Sequence, residues 1–252
     1  MGARLGRSLL PRVRAAALRA VAVAAVVGIG AAGASAGAAP ALATNRADDL
    51  DVAKAALLVA ADFPSGFTSS ASSDASHAEN LRLAKGVAGC APYIALEKAV
   101  RPVPQASSSD FSDDTRTVRN EVDVFKSERA ASDAVALYAK PSIVGCLKKV
   151  FEKKVRQEPQ FAGKIARVTV TLERQDIAAL GDDSVVYEGN VVLTGTDGSS
   201  EQLGVGNAAV RVGRATDVVS YSTTGGDLTE ILTPAIDASV GRLRSALEGQ
   251  ST

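Results

Sequence analysis

Residues 184–222 read SVVYEGNVVLTGTDGSSEQLGVGNAAVRVGRATDVVSYS. The segments 184–194, 202–213 and 215–222 are rich in Val and Thr and partly alternate apolar with polar residues, which is the period of a strand. Asp197-Gly198 divides the first two segments, and Gly supplies the left-handed backbone that short hairpin turns need. Gly213-Arg214 divides the second and third. Strands joined by such short turns run antiparallel. Upstream, residues 164–173 have the same composition and predict a fourth strand. Residues 116–126 predict a fifth, because Val118, Asn120, Val122 and Val124 alternate with charged or polar neighbours.

Helical patterns flank this ladder. Residues 48–61 predict a helix, with Asp48 or Asp49 as its cap and Leu50, Ala53, Leu57 and Ala61 at helical spacing. Phe63-Pro64-Ser65-Gly66-Phe67 ends it. Residues 68–78, almost wholly Ser, Ala, Thr and Asp around His77, predict a loop. Residues 79–100 carry a short helical pattern interrupted by Gly86, Gly89 and Pro92, and 101–114 predict a second loop. Ser127 is placed to cap a helix over 128–139, with Ala131, Val135 and Tyr138 on one side. Pro141 suits the first turn of a helix over 141–156. Asp227 is placed to cap a closing helix through Leu247, carrying Ile231, Ala235, Val240 and Leu243. The expected fold is α+β: an antiparallel sheet of about five strands, with helices packed on one face.

Composition narrows the function. The 252 residues hold 28 basic and 28 acidic side chains, one His, two Cys, six Phe, four Tyr and no Trp, so Ala and Val must fill the core. One His and two Cys exclude a His-rich metal site and a four-thiolate site, and no cofactor is expected. The charge is unevenly distributed. Residues 1–43 hold Arg4, Arg7, Arg12, Arg14 and Arg19 and no acid, and no charge stands between Arg19 and Arg46. A basic start, an apolar stretch and A-x-A spacing describe a signal peptide. Ala41-Leu42-Ala43 is the preferred cleavage site and Ala34-Ser35-Ala36 the second. The rival is a retained N-terminal membrane anchor, since about 20 apolar residues span a bilayer. Residues 44–252 then form one mature domain. It has 23 basic and 28 acidic residues, a net charge of −5, which suits a secreted or extracytoplasmic, monomeric protein and argues against nucleic acid.

Cys90 and Cys146 both fall in this exported part. An even Cys count in an oxidising compartment reads as a disulfide. Closing the loop between them would add about 4 kcal/mol in the chain-entropy model.

No motif spells out a reaction. Gly204-Val205-Gly206 begins a loose dinucleotide pattern, but strand-like residues follow where a helix is required. His77 stands in a Ser-rich loop without a partner at a fixed offset. Asp48, Asp49 and Asp51 lack the Gly and distal Glu of a calcium loop, and Asp182-Asp183 reads as a turn. Lys148, Lys149, Lys153 and Lys154, with Arg156, form the one basic cluster. On an amphipathic helix they are candidates for contact with an anionic envelope or membrane surface.

Ala56-Leu57-Leu58-Val59-Ala60-Ala61-Asp62-Phe63-Pro64-Ser65-Gly66-Phe67 resembles the LL-x-x-x-D-(L/F)-P-x-G-(F/W) opening of actinobacterial PknH-like extracellular sensor domains. Val122-Asp123-Val124-Phe125 before a helix leading to Cys146, Leu180-Gly181-Asp182-Asp183-Ser184, and Ala209-Val210-Arg211-Val212-Gly213 are similar to further family features. The resemblance implies an antiparallel sheet with helices around a cleft, and ligand sensing without catalysis. These 252 residues hold no kinase region, so no signalling output carries over. The family's sensor also holds more cysteines.

The expected function is an exported, non-enzymatic ligand-binding or sensor-like domain of the actinobacterial cell envelope. Phe63, Phe67 and Tyr93 are the candidates to line its cleft, and a small molecule or envelope component is its expected partner. The alternative is an extracytoplasmic lipid or cell-wall carrier, or an interaction protein, that touches the envelope through the basic helix. A hydrolase built on His77 is the third reading.

Overall fold

A computed structural model describes residues 46–71, 81–100, 103–178, 180–225 and 229–250. The expected leader, His77 and the Asp227 cap lie outside the described residues.

The quoted stretch folds as the ladder its turns dictate. Strands β6 (Asp183–Gly195), β7 (Ser200–Val212) and β8 (Ala215–Thr223) pair antiparallel in chain order. Gly198 and Gly213 have φ of +82° and +53°, so each turn uses its glycine in the left-handed region. Asp197 Oδ1 closes the first turn by accepting from the Ser199 amide at 3.0 Å. Strand β5 (Ile165–Gln175) adds to β6, and β4 (Arg116–Val124) pairs with β8 along its length.

The sheet is larger than the five strands the sequence predicts. Three short strands, β1 (Thr68–Ser70), β2 (Gln105–Ser107) and β3 (Asp110–Ser112), bring it to eight among the described residues. They occupy segments that read as loops. Three residues are too few to show a period; these strands form because β4 offers its free edge to β2 and β3, and β3 then takes β1.

Helices cover both faces, not one. Helices α2 (Ala91–Val100), α3 (Glu128–Tyr138) and α4 (Pro141–Gln157) lie on one side. There Tyr93, Ala131, Val135, Tyr138, Ile143, Val150 and Phe151 pack with Val168, Val170, Val185, Tyr187, Leu203 and Val218. Helices α1 (Arg46–Ala55) and α5 (Thr229–Gly249) lie on the other. There Val52, Ala53, Ile231, Ala235, Val240 and Leu243 pack with Val122, Val186, Ala208, Val210 and Val219. The reason is in the strands. Val185, Val186 and Tyr187, or Ala208, Ala209 and Val210, are buried in succession. Successive residues point to opposite faces, so a continuous apolar run needs cover on both.

Local signals place the helix ends. Ser127 Oγ accepts from the Ala130 amide at 3.2 Å, and Pro141 sits in the first turn of α4. The first helix stops at Ala55, short of the predicted 61, because the next amides are captured elsewhere. The Leu58 amide donates to Asn120 Oδ1 at 2.9 Å, and the Val59 amide to Asp62 Oδ2 at 2.8 Å. A 3-10 turn over Ala60–Asp62 follows. Cys90 and Cys146 are bonded, with Cα atoms 5.0 Å apart, and staple the 81–90 segment to α4. No helix among the described residues is long and apolar enough to cross a membrane.

Candidate functional site

Strand β4 reads Arg-Thr-Val-Arg-Asn-Glu-Val-Asp-Val, and its two faces differ in kind. Its odd-numbered residues point toward the α3–α4 face. Thr117, Arg119, Glu121 and Asp123 therefore form a polar row down the middle of the sheet. The register extends the row sideways. Arg119 stands beside Ser220, which stands beside Asn207; Asp123 stands beside Thr216, and Thr117 beside Ser222. On the outer edge, Ser112 lies opposite Thr117 and Ser107 opposite Glu121.

The row is withdrawn from water. Arg119, Glu121 and Asp123 are 2%, 2% and 0% exposed. Arg119 Nη1 lies 3.7 Å from Asp110 Oδ1. Ser107 Oγ donates to Glu121 Oε2 at 3.3 Å, and Asn207 Nδ2 to Ser220 Oγ at 2.7 Å. Burial pushes the Asp110 carboxyl up, against the attraction of Arg119. Burial likewise pulls the Arg119 guanidinium down, against the nearby Asp110 and Glu121. This constellation is able to hold polar or charged groups in fixed directions. Among the described residues, no three His, Cys, Asp or Glu side chains gather as a metal site would require.

A second buried polar centre lies on the opposite face. Asn120, Asp217 and Ser239 are fully buried and join β4, β8 and α5 to the carbonyl of Ala56, just beyond α1. At the rim of this face, Arg242 of α5 holds Asp62 at 2.7 and 2.9 Å, and Arg214 holds Asp49 at 2.5 Å.

The residues singled out from sequence are dispersed. Phe63 stacks on Phe67 and Phe111, with centroids 5.1 and 4.8 Å apart, in the core under α1 and α5. Arg116 lies 5.3 Å over the Phe67 ring. Tyr93 is buried in the core on the other side of the sheet. Tyr93 therefore shares no surface with Phe63 and Phe67. The lysines divide similarly. Lys149 Nζ donates to the Ala88 carbonyl and Lys153 Nζ to the Leu83 carbonyl, each at 2.9 Å. Lys154 is buried and Lys148 half-buried, so the four do not form one exposed basic face. Gly204 and Gly206 lie within β7. Tyr221 reaches across Gly206, where a side chain would overlap its ring, and donates to Glu188 Oε1 at 2.6 Å. Asp49 and Asp51 pair with Arg214 and Lys54, and Asp182 accepts from the Gly213 amide at 2.6 Å.

Sequence reasoning passed over Arg119, Glu121 and Asp123 because charged alternation on a strand reads as a solvated face. No local signal marked them, since the place of β4 between β8 and the short edge strands is set by the tertiary structure.

No protein-family model matches the chain, and the search of curated proteins returns no match. Among solved structures, the chain is similar to the extracellular domain of PknH from Mycobacterium tuberculosis, at 11% identity over 62% of this chain and 75% of that one, with a TM-score of 0.35. It is also similar to protein Ms6760 from Mycobacterium smegmatis, at 11% identity over 53% and 92%, TM-score 0.15. A third is the Ran-binding protein Mog1p of Saccharomyces cerevisiae, at 9% identity over 58% and 92%, TM-score 0.17. Likenesses this distant do not place the chain in a family and carry no argument about what it does.

Proposed function

We propose that the protein is a non-enzymatic, extracytoplasmic ligand-binding or sensor-like domain, and that the buried polar row of β4 shapes its ligand site. One observation carries this reading: Arg119, Glu121 and Asp123 are held side by side, out of water, on a central strand. Burying a charged group costs several kcal/mol, and a well-packed apolar row is often the more stable choice. A row retained in this form holds its polar groups in fixed directions, Arg119 toward Asp110 and Glu121 toward Ser107, as a polar binding site requires. The disulfide supports the compartment, since such bonds persist in oxidising surroundings. The aromatics Phe63, Phe67 and Tyr93 act as packing side chains in this reading, because they divide between the two cores.

Thermal unfolding of the full chain tests it, with soluble peptidoglycan fragments and anionic phospholipid vesicles as probes. A ligand present at about 100 times its Kd raises the midpoint by about 5 °C or more. Glu121→Gln and Asp123→Asn abolish that rise, scored in each variant against its own unliganded midpoint. A wild-type midpoint that neither probe moves overturns the proposal. A rise that survives both substitutions places binding elsewhere.

A further inference from the structure

We propose that Asp217 is held as the neutral acid where α1, β4, β8 and α5 meet, and that its proton makes the seating of α1 and α5 on the sheet sensitive to pH. This goes beyond the ligand-binding reading and concerns the opposite face of the sheet.

Hydrogen counting carries the inference. The Asn120 amide is oriented by the Leu58 amide, which donates to its Oδ1 at 2.9 Å. Its Nδ2 therefore points to Asp217 Oδ1 at 2.9 Å, Ser239 Oγ at 3.1 Å and the Ala56 carbonyl at 3.3 Å. Ser239 Oγ lies 3.0 Å from the Ala56 carbonyl and in close contact with Asp217 Oδ2. A hydroxyl has one hydrogen, and a carbonyl only accepts. If Asp217 is ionised, Ser239 has two close acceptors for that one hydrogen. One of the two contacts is then oxygen against oxygen, buried and without a hydrogen from Ser239. A proton on Asp217 Oδ2 removes the conflict. Asp217 donates to Ser239, Ser239 donates to Ala56, and Asn120 donates to Asp217 Oδ1. Its second hydrogen goes to Ser239 or Ala56.

The surroundings favour the same state. The cross-strand neighbours of Asp217 on its own face are Val122 and Val210, both buried. Burial pushes the carboxyl up to about 6, against the hydrogen bonds of Ser239 and Asn120 and the attraction of Arg242. Arg242 is the charged group of α5 on this side, and it is engaged by Asp62 of the 3-10 turn. Asp49 of α1 is engaged by Arg214. From β4 the facing group is the neutral Asn120.

The direction follows. A group whose folded value lies above its unfolded value stabilises fully below the unfolded value, 3.8 here, and loses that contribution as pH rises to about 6. Above that range the ionised carboxylate competes for the Ser239 hydrogen, and the hold on Ala56 weakens.

A carbon-13 titration of the Asp217 carboxyl in the full chain tests the proposal, together with urea unfolding of the wild type and Asp217→Asn. The expected midpoint is about 6. The unfolding constant of the wild type, relative to Asp217→Asn, should rise about 50-fold between about pH 4 and pH 7. Corrected amide exchange in α5 should quicken over that range while α4 stays unchanged. A carboxyl midpoint in the ordinary range near 4, or parallel pH curves for the two proteins, overturns the proposal. If Asp217→Asn does not fold, the wild-type titration and the exchange data decide alone.

Discussion

The two faces of one strand bury polarity in opposite ways. Toward α3 and α4, β4 presents Thr117, Arg119, Glu121 and Asp123, a row with full charges. Toward α1 and α5 it presents Val118, Asn120, Val122 and Val124, where a single amide serves as the hub of a hydrogen-bonded junction. Both faces are almost completely buried. The neutral junction joins four elements through short contacts and acts as a clamp. The charged row is organised along the sheet and leaves its groups aligned toward one side. The junction ties helices to the sheet, whereas the charged row ties β4 to its neighbouring strands through Asp110, Ser107 and Thr216; the ligand-binding role of the row is the proposal made above.

The comparison breaks first at its largest energy. Arg119→Met leaves Asp110 and Glu121 without their buried counter-charge and should destabilise the chain by about 3–5 kcal/mol, measured by urea unfolding. The loss should persist at high salt, because buried pairs are screened little. An effect below about 1 kcal/mol would mean that the row is effectively solvated. Replacing Cys90 and Cys146 together with Ala should cost about 2–4 kcal/mol by the same measurement. This change loosens the α3–α4 side, so exchange in α4 should quicken before exchange in α5. Asn120→Ala should cost about 1–3 kcal/mol, since it strands the Leu58 amide and removes a donor from Asp217. Its exchange signature should be the reverse, with α5 loosening first. If both substitutions loosen both helices equally, the two faces are not separable. Lys149→Ala with Lys153→Ala should cost under about 1 kcal/mol in all, because each loses one partly solvated bond to a carbonyl. Unchanged association with anionic vesicles would set aside the basic-helix reading, and weakened association would restore it.

Much of the fold was legible. The ladder from β5 to β8 follows from alternating Val and Thr and from two glycine turns. The caps at Ser127 and Pro141 fall where expected, and the two cysteines pair. The candidate site was largely illegible. Phe63, Phe67 and Tyr93 stood together as cleft candidates, and only packing assigns Tyr93 to one core and Phe63 with Phe67 to the other. Lys149 and Lys153 read as part of one basic cluster, and only the tertiary structure shows that they bond to carbonyls about 60–70 positions upstream, Lys149 while still exposed.

The sequence alone determined what depends on neighbours a few residues apart: strand period, turn glycines, helix starts, and the uneven charge of residues 1–43 against the rest. Those properties follow from backbone conformation and local hydrogen bonding, which short segments specify. Tertiary structure decided the cover on both faces, the three added strands, the burial of Arg119, and the junction that joins Ala56, Asn120, Asp217 and Ser239. Members of that junction stand up to 183 positions apart in the chain. Whether a polar side chain meets water or a partner is settled by what packs over it, and no periodicity records that.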